Sequence, residues 1–149
     1  MEEWGLAREP MSDKEAELKN PLTLAFIGDT VWDLLVRQAL LDTSARVNTL
    51  HRRATAVVNA GAQSLALERL EPLLEEPEKA IVRRGSNAHC GHVAPRNQNP
   101  VDYRRATGLE ALLGWLYLCG KRERLMELFT AAFPAGIPEI SSTGRRTTP

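Results

Sequence analysis

Two stretches of this chain set acidic side chains among apolar ones, an arrangement that costs free energy and needs a chemical reason. In Leu22–Val36, ten of fifteen residues are apolar, and Asp29 sits mid-run with Asp33 one helical turn further on. The apolar residues fall on both sides of a helical wheel, with Leu24, Ile27, Val31 and Leu35 on one and Leu22, Phe26 and Val36 on the other. That is the pattern of a helix buried all round. In the second stretch, Glu110 is the only charge from Ala106 to Gly120. Burying a carboxylate is costly unless a cation or hydrogen bonds compensate it. For either acid alone, an arginine partner or a place at the edge of the core would serve. If the two helices pack so that the acids meet, a hard divalent cation compensates both. Mg²⁺ suits such a pair, because it takes oxygen ligands, keeps several waters, and commonly uses one or two protein carboxylates plus substrate phosphates. Ala25 and Gly28 beside the first acid, and Ala106, Thr107 and Gly114 beside the second, are small. They clear a strip for a second helix, a cation or a phosphate. Thr107 adds a hydroxyl suited to bonding a water in a cation's shell.

Holding these acids in register requires long helices, and the chain is patterned to form them. Apolar runs of helix length are separated by Pro, Gly and Asn, with no strand-type alternation, so the spacing predicts an all-α helical bundle. Asn20 followed by Pro21 starts a helix running to about Leu41, and Ser44 caps a second from about Ala45 to Asn59. A third covers about Ala62 to Leu74 with a break at Pro72, and Pro77 opens a shorter one through Glu78–Arg84 that stops at Gly85. Residues 86–100 read as a long polar loop. Helices follow from about Val101 to Cys119 and from Arg122 to Phe133, with Gly120 stopping the first. The 149 residues are one domain's worth, and 43% hydrophobic with 26% charged residues describes a chain able to bury a core. The expected organisation is a flexible tail over 1–19, a catalytic core over 20–136 and a second tail over 137–149. No apolar run is long enough to span a membrane, and the acidic N-terminus is unlike a signal peptide, so the expected location is the cytoplasm.

Zero net charge conceals an uneven distribution. Residues 1–20 carry six acids against three bases, whereas 79–105 carry six bases against Asp102 alone. Fifteen of the nineteen basic residues are arginine, and the guanidinium fork suits phosphate oxygens. Arg83, Arg84, Asn87, Arg104 and Arg105 bracket the loop leading to the Glu110 helix and form a candidate phosphate track. His51, Arg52 and Arg53 read as the exposed face of the second helix. The string His89, Cys90, Gly91, His92 contains zinc ligands, but the nearest candidates for completing a tetrahedral set, His51 and Cys119, lie in helical segments. With no CxxC motif, both cysteines are expected as thiols. Trp32 and Trp115 read as core or dimer contacts.

These residues together resemble a known family. The segment FIGDTVWDLLVRQAL (26–40) is similar to the signature helix of ribonuclease III catalytic domains, and YRRATGLEALLGWLYL (103–118) to that family's second active-site helix. VVNAGAQSLALERL (57–70) and AIVRRGSNA (80–88) resemble the short bacterial branch that lacks a double-stranded-RNA-binding domain. The resemblance covers about residues 20–134. It implies a ribonuclease III-type fold and hydrolysis of double-stranded RNA by metal-activated water, with Asp29 and Glu110 as catalytic, Mg²⁺-holding acids and Asp33 and Thr107 in support. It also implies a homodimer that places two sites across one duplex. The associated role is maturation of the large-subunit (23S) ribosomal RNA precursor, with a ribosomal protein as a candidate for presenting that substrate. Three positions depart from the general family pattern, where two glutamates precede the signature aspartate and an aspartate precedes the later glutamate. Here they are Leu22, Ala25 and Thr107. The departure fits the short branch, and it also leaves open a catalytically silent module that binds RNA or ribosomes.

Overall fold

The computed structural model describes residues 9–41, 44–88 and 96–139, and among these every regular element is helical. Seven α-helices follow one another: α1 (Asp13–Glu17), α2 (Pro21–Leu40), α3 (Val47–Val58), α4 (Ala60–Leu70), α5 (Glu76–Asn87), α6 (Pro100–Leu118) and α7 (Arg122–Ala132). A single 3₁₀ turn, Glu71–Leu73, separates α4 from α5. The all-α expectation holds.

Local chemistry sets the boundaries. The Asn20 side chain accepts from the Leu22 N–H at 2.8 Å with Pro21 behind it, so α2 begins where a free donor is capped and a missing donor does no harm. Asn99 and Pro100 repeat the device at the start of α6. Asn59 takes an extended conformation that ends α3, and its side chain accepts from the Ala62 N–H at 2.9 Å to start α4, two residues earlier than expected. Ser44 does not cap α3. That helix starts at Val47 behind Arg46, without a side-chain cap bond. Glu75 and Glu78 form a reciprocal capping box, so α5 opens at Glu76. Gly120 stops α6 with φ of 69°, a conformation glycine adopts without strain.

Gly85 corrects the expected helix stop. It lies inside α5, which runs on to Asn87. A Cβ at this position would sit 2.8 Å from the Ala111 Cβ and 3.0 Å from the Gly108 Cα, so the glycine serves the close packing of α5 on α6.

Helix α6 is the axis of the molecule, packed by α2, α4 and α5, with α7 folding back beside it. From Ala106 to Leu116 every residue is buried except Glu110. The α2–α6 crossing is the closest approach. A Cβ on Gly28 would overlap the Glu110 carbonyl, and one on Gly114 would overlap the Leu24 carbonyl. Trp32 closes the other side of α2. It donates its indole N–H to the Val57 carbonyl at 3.0 Å and packs against Phe129 and Phe133 at centroid distances of 5.6 and 5.5 Å. Trp115 is likewise core, and it donates to the Asp13 carbonyl at 3.3 Å. A buried ion pair ties α5 to α7, with Arg124 donating to both Glu78 oxygens at 2.8 and 2.6 Å. Burial alone would raise the Glu78 pKa, but Arg124 and the Glu75 N–H outweigh it and hold the carboxyl below its usual range.

The described part of the expected N-terminal tail is docked. Met11 and Ala16 are buried, and the Met11 N–H donates to the Leu118 carbonyl at 2.8 Å. Arg53, expected on an exposed face, is instead buried and donates to the carbonyls of Ile137 and Pro138, holding that segment to α3. His51 and Arg52 are exposed as expected. No described helix is long and apolar enough to cross a membrane.

In a helix interior, alanine normally exceeds glycine in stability by roughly 1 kcal/mol. Gly114→Ala should reverse that sign and destabilise by about 3 kcal/mol, read as a lower denaturation midpoint at unchanged m-value, because the added methyl forces α2 away from α6.

Candidate active site

The α2–α6 crossing sets the geometry of the acids. Gly28 packs on the backbone of Glu110, and Asp29 is the next residue of α2, so the contact that brings the helices together also brings the acids together. Both line an open cleft of about 390 Å³. Leu22, Ala25 and Phe26 of α2, Asn59 and Gln63 at the start of α4, and Tyr103, Ala106 and Thr107 of α6 complete most of its wall.

The two acids do not share an environment. Glu110 is largely buried, whereas Asp29 is exposed at the rim. That corrects the expectation of two buried acids. Helix α2 is not apolar all round in its setting, since Phe26 and Leu34 remain 75% and 59% exposed and Asp29 shares their solvent side. Burial, helped by the neighbouring Asp29 charge, pushes the Glu110 pKa from 4.5 up to about 8. Near neutral pH, with no cation between the acids, Glu110 therefore holds a proton.

The other expected residues are placed as follows. Thr107 is buried in the cleft wall, and its hydroxyl donates to the Tyr103 carbonyl at 3.0 Å. Asp33 lies outside the cleft lining, where both its oxygens accept from Arg37 at 3.2 Å. Arg83 and Asn87 on the last turns of α5, and Arg104 near the start of α6, are exposed. Arg84 and Arg105 are engaged within the chain. Arg84 donates to the carbonyls of Glu17 and Lys19, and Arg105 donates to Ser64 and to the Glu71 carboxylate at 2.7 Å. The His89–His92 string lies outside the described residues.

Sequence reasoning did not single out Asn59 or Gln63. Each has a signal in hindsight. Asn59 is the junction of two helices and so faces whatever their ends surround. Gln63 and Ser64 are uncharged polar residues on the face of α4 that also carries Ala66, Leu67 and Leu70, and all five are buried.

The donor set fits a magnesium ion on chemical grounds. Asp29 and Glu110 offer hard oxygen ligands, and the burial and neighbouring Asp29 charge that raise the Glu110 pKa are what a cation between them would offset. Among the described residues no group of three or more His, Cys, Asp or Glu converges, so the pair is a sparse site that leaves room for waters and substrate oxygens.

Comparison with known proteins accords with this geometry. The profile of the Ribonuclease III domain family matches residues 22–121. Mini-ribonuclease 3 of Symbiobacterium thermophilum is 50% identical over 113 residues, spanning 75% of this chain and 86% of that protein. Mini-ribonuclease 3 of Brevibacillus brevis is 44% identical over 121 residues, spanning 80% of this chain and 90% of that one. A crystal structure of a Fusobacterium nucleatum protein superposes with a TM-score of 0.72 at 31% identity, covering 83% of this chain and 98% of that one.

The folded chain binds a proton at Glu110 that the unfolded chain has released between about pH 4.5 and about pH 8. Stability of the metal-free protein should therefore fall as pH rises through that window. Melting curves of wild type and Glu110→Gln should nearly coincide at its acid end and separate by several degrees at its alkaline end, the variant being the more stable. With acids, cleft and matching profile together, the chain belongs to the ribonuclease III family, on its Mini-ribonuclease 3 branch, and is an endoribonuclease.

Proposed function

We propose that the chain is a Mg²⁺-dependent endoribonuclease that cuts double-stranded RNA as a homodimer and acts in the cytoplasm in maturing the 23S ribosomal RNA precursor. The observation that carries the reading is the meeting of Asp29 and Glu110 in one cleft at the α2–α6 crossing. These two carboxylates would hold Mg²⁺, which when bound neutralises charge on the phosphate and supplies an activated water.

The chain's own residues account for the rest. Glu110 would hold the cation as a carboxylate, so cation binding would be linked to release of its proton near neutral pH. Leu22, Ala25 and Thr107, where the general family pattern has acids, line the same cleft. Being uncharged, they leave Asp29 and Glu110 as the carboxylates among the described lining residues. Arg83 and Asn87 of α5 and Arg104 of α6 are exposed and supply phosphate contacts. Arg84 and Arg105 shape that surface through their bonds to the α1–α2 turn and to Glu71. Recognition through backbone and 2′-hydroxyls makes strict sequence specificity unnecessary. Phe26, 75% exposed one turn before Asp29, supports burial of this side of α2 against a second copy.

The test is incubation of the purified protein with long duplex RNA and Mg²⁺. Discrete products should appear, vanish with EDTA, and fall at least a thousandfold in rate for Asp29→Asn; binding without cleavage would favour the silent module, and cleavage that survives Asp29→Asn would move the active site elsewhere. Sedimentation at micromolar concentration should give a dimer, and a strict monomer would count against paired-strand cutting. Arg104→Ala should weaken duplex binding across all sequences and lower the salt dependence by about one counterion.

A further inference from the structure

One polar group in the cleft is left unpaired among the described residues. Gln63 is only 2% exposed, yet its side-chain Nε2 is buried with no hydrogen-bond partner among them. The residue lines the same cleft as Asp29 and Glu110. Leaving an amide donor buried and unpaired costs stability, and an apolar side chain of the same shape would avoid that cost. Two neighbouring donors on this wall are already committed. Asn59 gives its amide hydrogens to the carbonyls of Thr55 and Ala56, and Thr107 gives its hydroxyl hydrogen to Tyr103. Among the described residues no lysine, arginine or histidine lines the cleft.

The missing partner must be an acceptor, because an amide –NH₂ only donates. The ligand that enters a cleft between two metal-holding acids presents phosphate oxygens. We propose, on the reading of this cleft as the RNA-cutting site, that the Gln63 amide donates a hydrogen bond to a non-bridging phosphate oxygen of the strand being cut. The amide is neutral, so it positions the phosphate without forming an ion pair that would neutralise Asp29 or Glu110. It reaches the cleft from α4, a third element beside the α2 and α6 that carry the acids.

The experiment compares the full-length wild type with Gln63→Leu and Gln63→Glu. Gln63→Leu should melt at the same temperature or higher, because it removes an unsatisfied donor, while its single-turnover cleavage of duplex RNA with Mg²⁺ falls about tenfold to a hundredfold. Gln63→Glu, which turns the donor into an acceptor, should fall further. A duplex carrying a single phosphorothioate of defined stereochemistry at the linkage the wild type cuts separates contact from packing. For one diastereomer the difference between wild type and Gln63→Leu should shrink severalfold, because sulfur is a poor acceptor, and for the other it should persist. An unchanged cleavage rate in Gln63→Leu would overturn the inference, as would a loss equal for the all-oxygen duplex and both diastereomers. If the wild type does not cut duplex RNA at all, the functional reading fails on its own. Duplex affinities measured in EDTA then decide this inference separately: weaker binding by Gln63→Leu upholds the contact, and equal binding overturns it.

Discussion

The contact on which this site depends is between two backbones. Gly28 of α2 lies on the carbonyl of Glu110, and Gly114 of α6 lies under the carbonyl of Leu24. Side chains at either position would hold the helices apart, so two missing methyl groups determine how near the acids can come. Small residues at this crossing serve packing and chemistry at once. Ala25 lines the cleft beside Asp29, and Ala106 and Thr107 do so one turn before Glu110. The aromatic cluster of Trp32, Phe129 and Phe133 and the Glu78–Arg124 pair hold α3, α5 and α7 around that crossing.

The electrostatics follow from unequal burial at the crossing. One acid is pressed between helices and keeps its proton to about pH 8, while the other stands at the rim. An acid pair split in this way is poised for a cation and costs the fold less than two buried charges would. Burial of Glu110 is also why the site can be sparse. A carboxylate in a low-dielectric wall interacts more strongly with a bound cation than one in water.

The helices, and the two acids that now line one cleft, could be picked out from the sequence because they depend on local rules. The Asn20–Pro21 start, apolar spacing and the Gly120 stop predicted α2, α6 and α7 to within a residue at their ends, although Asn99 and Pro100, read as loop, turn out to start α6. What could not be read depends on distant partners. Gly85 looks like a terminator until α6 is seen against it, and Arg53 looks like a surface base until the carbonyls of Ile137 and Pro138 arrive. The exposure of Asp29 was hidden for a similar reason, since a wheel shows which residues are apolar but not which apolar residues are left without a cover, as Phe26 is. Gln63 was missed because it is uncharged, and its significance lies in a bond it does not make.

The α2–α6 crossing also has a kinetic side. Its two halves lie about eighty residues apart in the chain, so the contact closes a loop spanning most of the molecule, and such closures come late because their entropy is lost before any packing is gained. A nascent chain that has emerged only through α5 holds Asp29 without its partner, and α1 has no Leu118 carbonyl or Trp115 indole to dock on. Nuclease competence should therefore arrive in one step with the folding of α6, leaving no partly built intermediate able to cut the RNA that surrounds it.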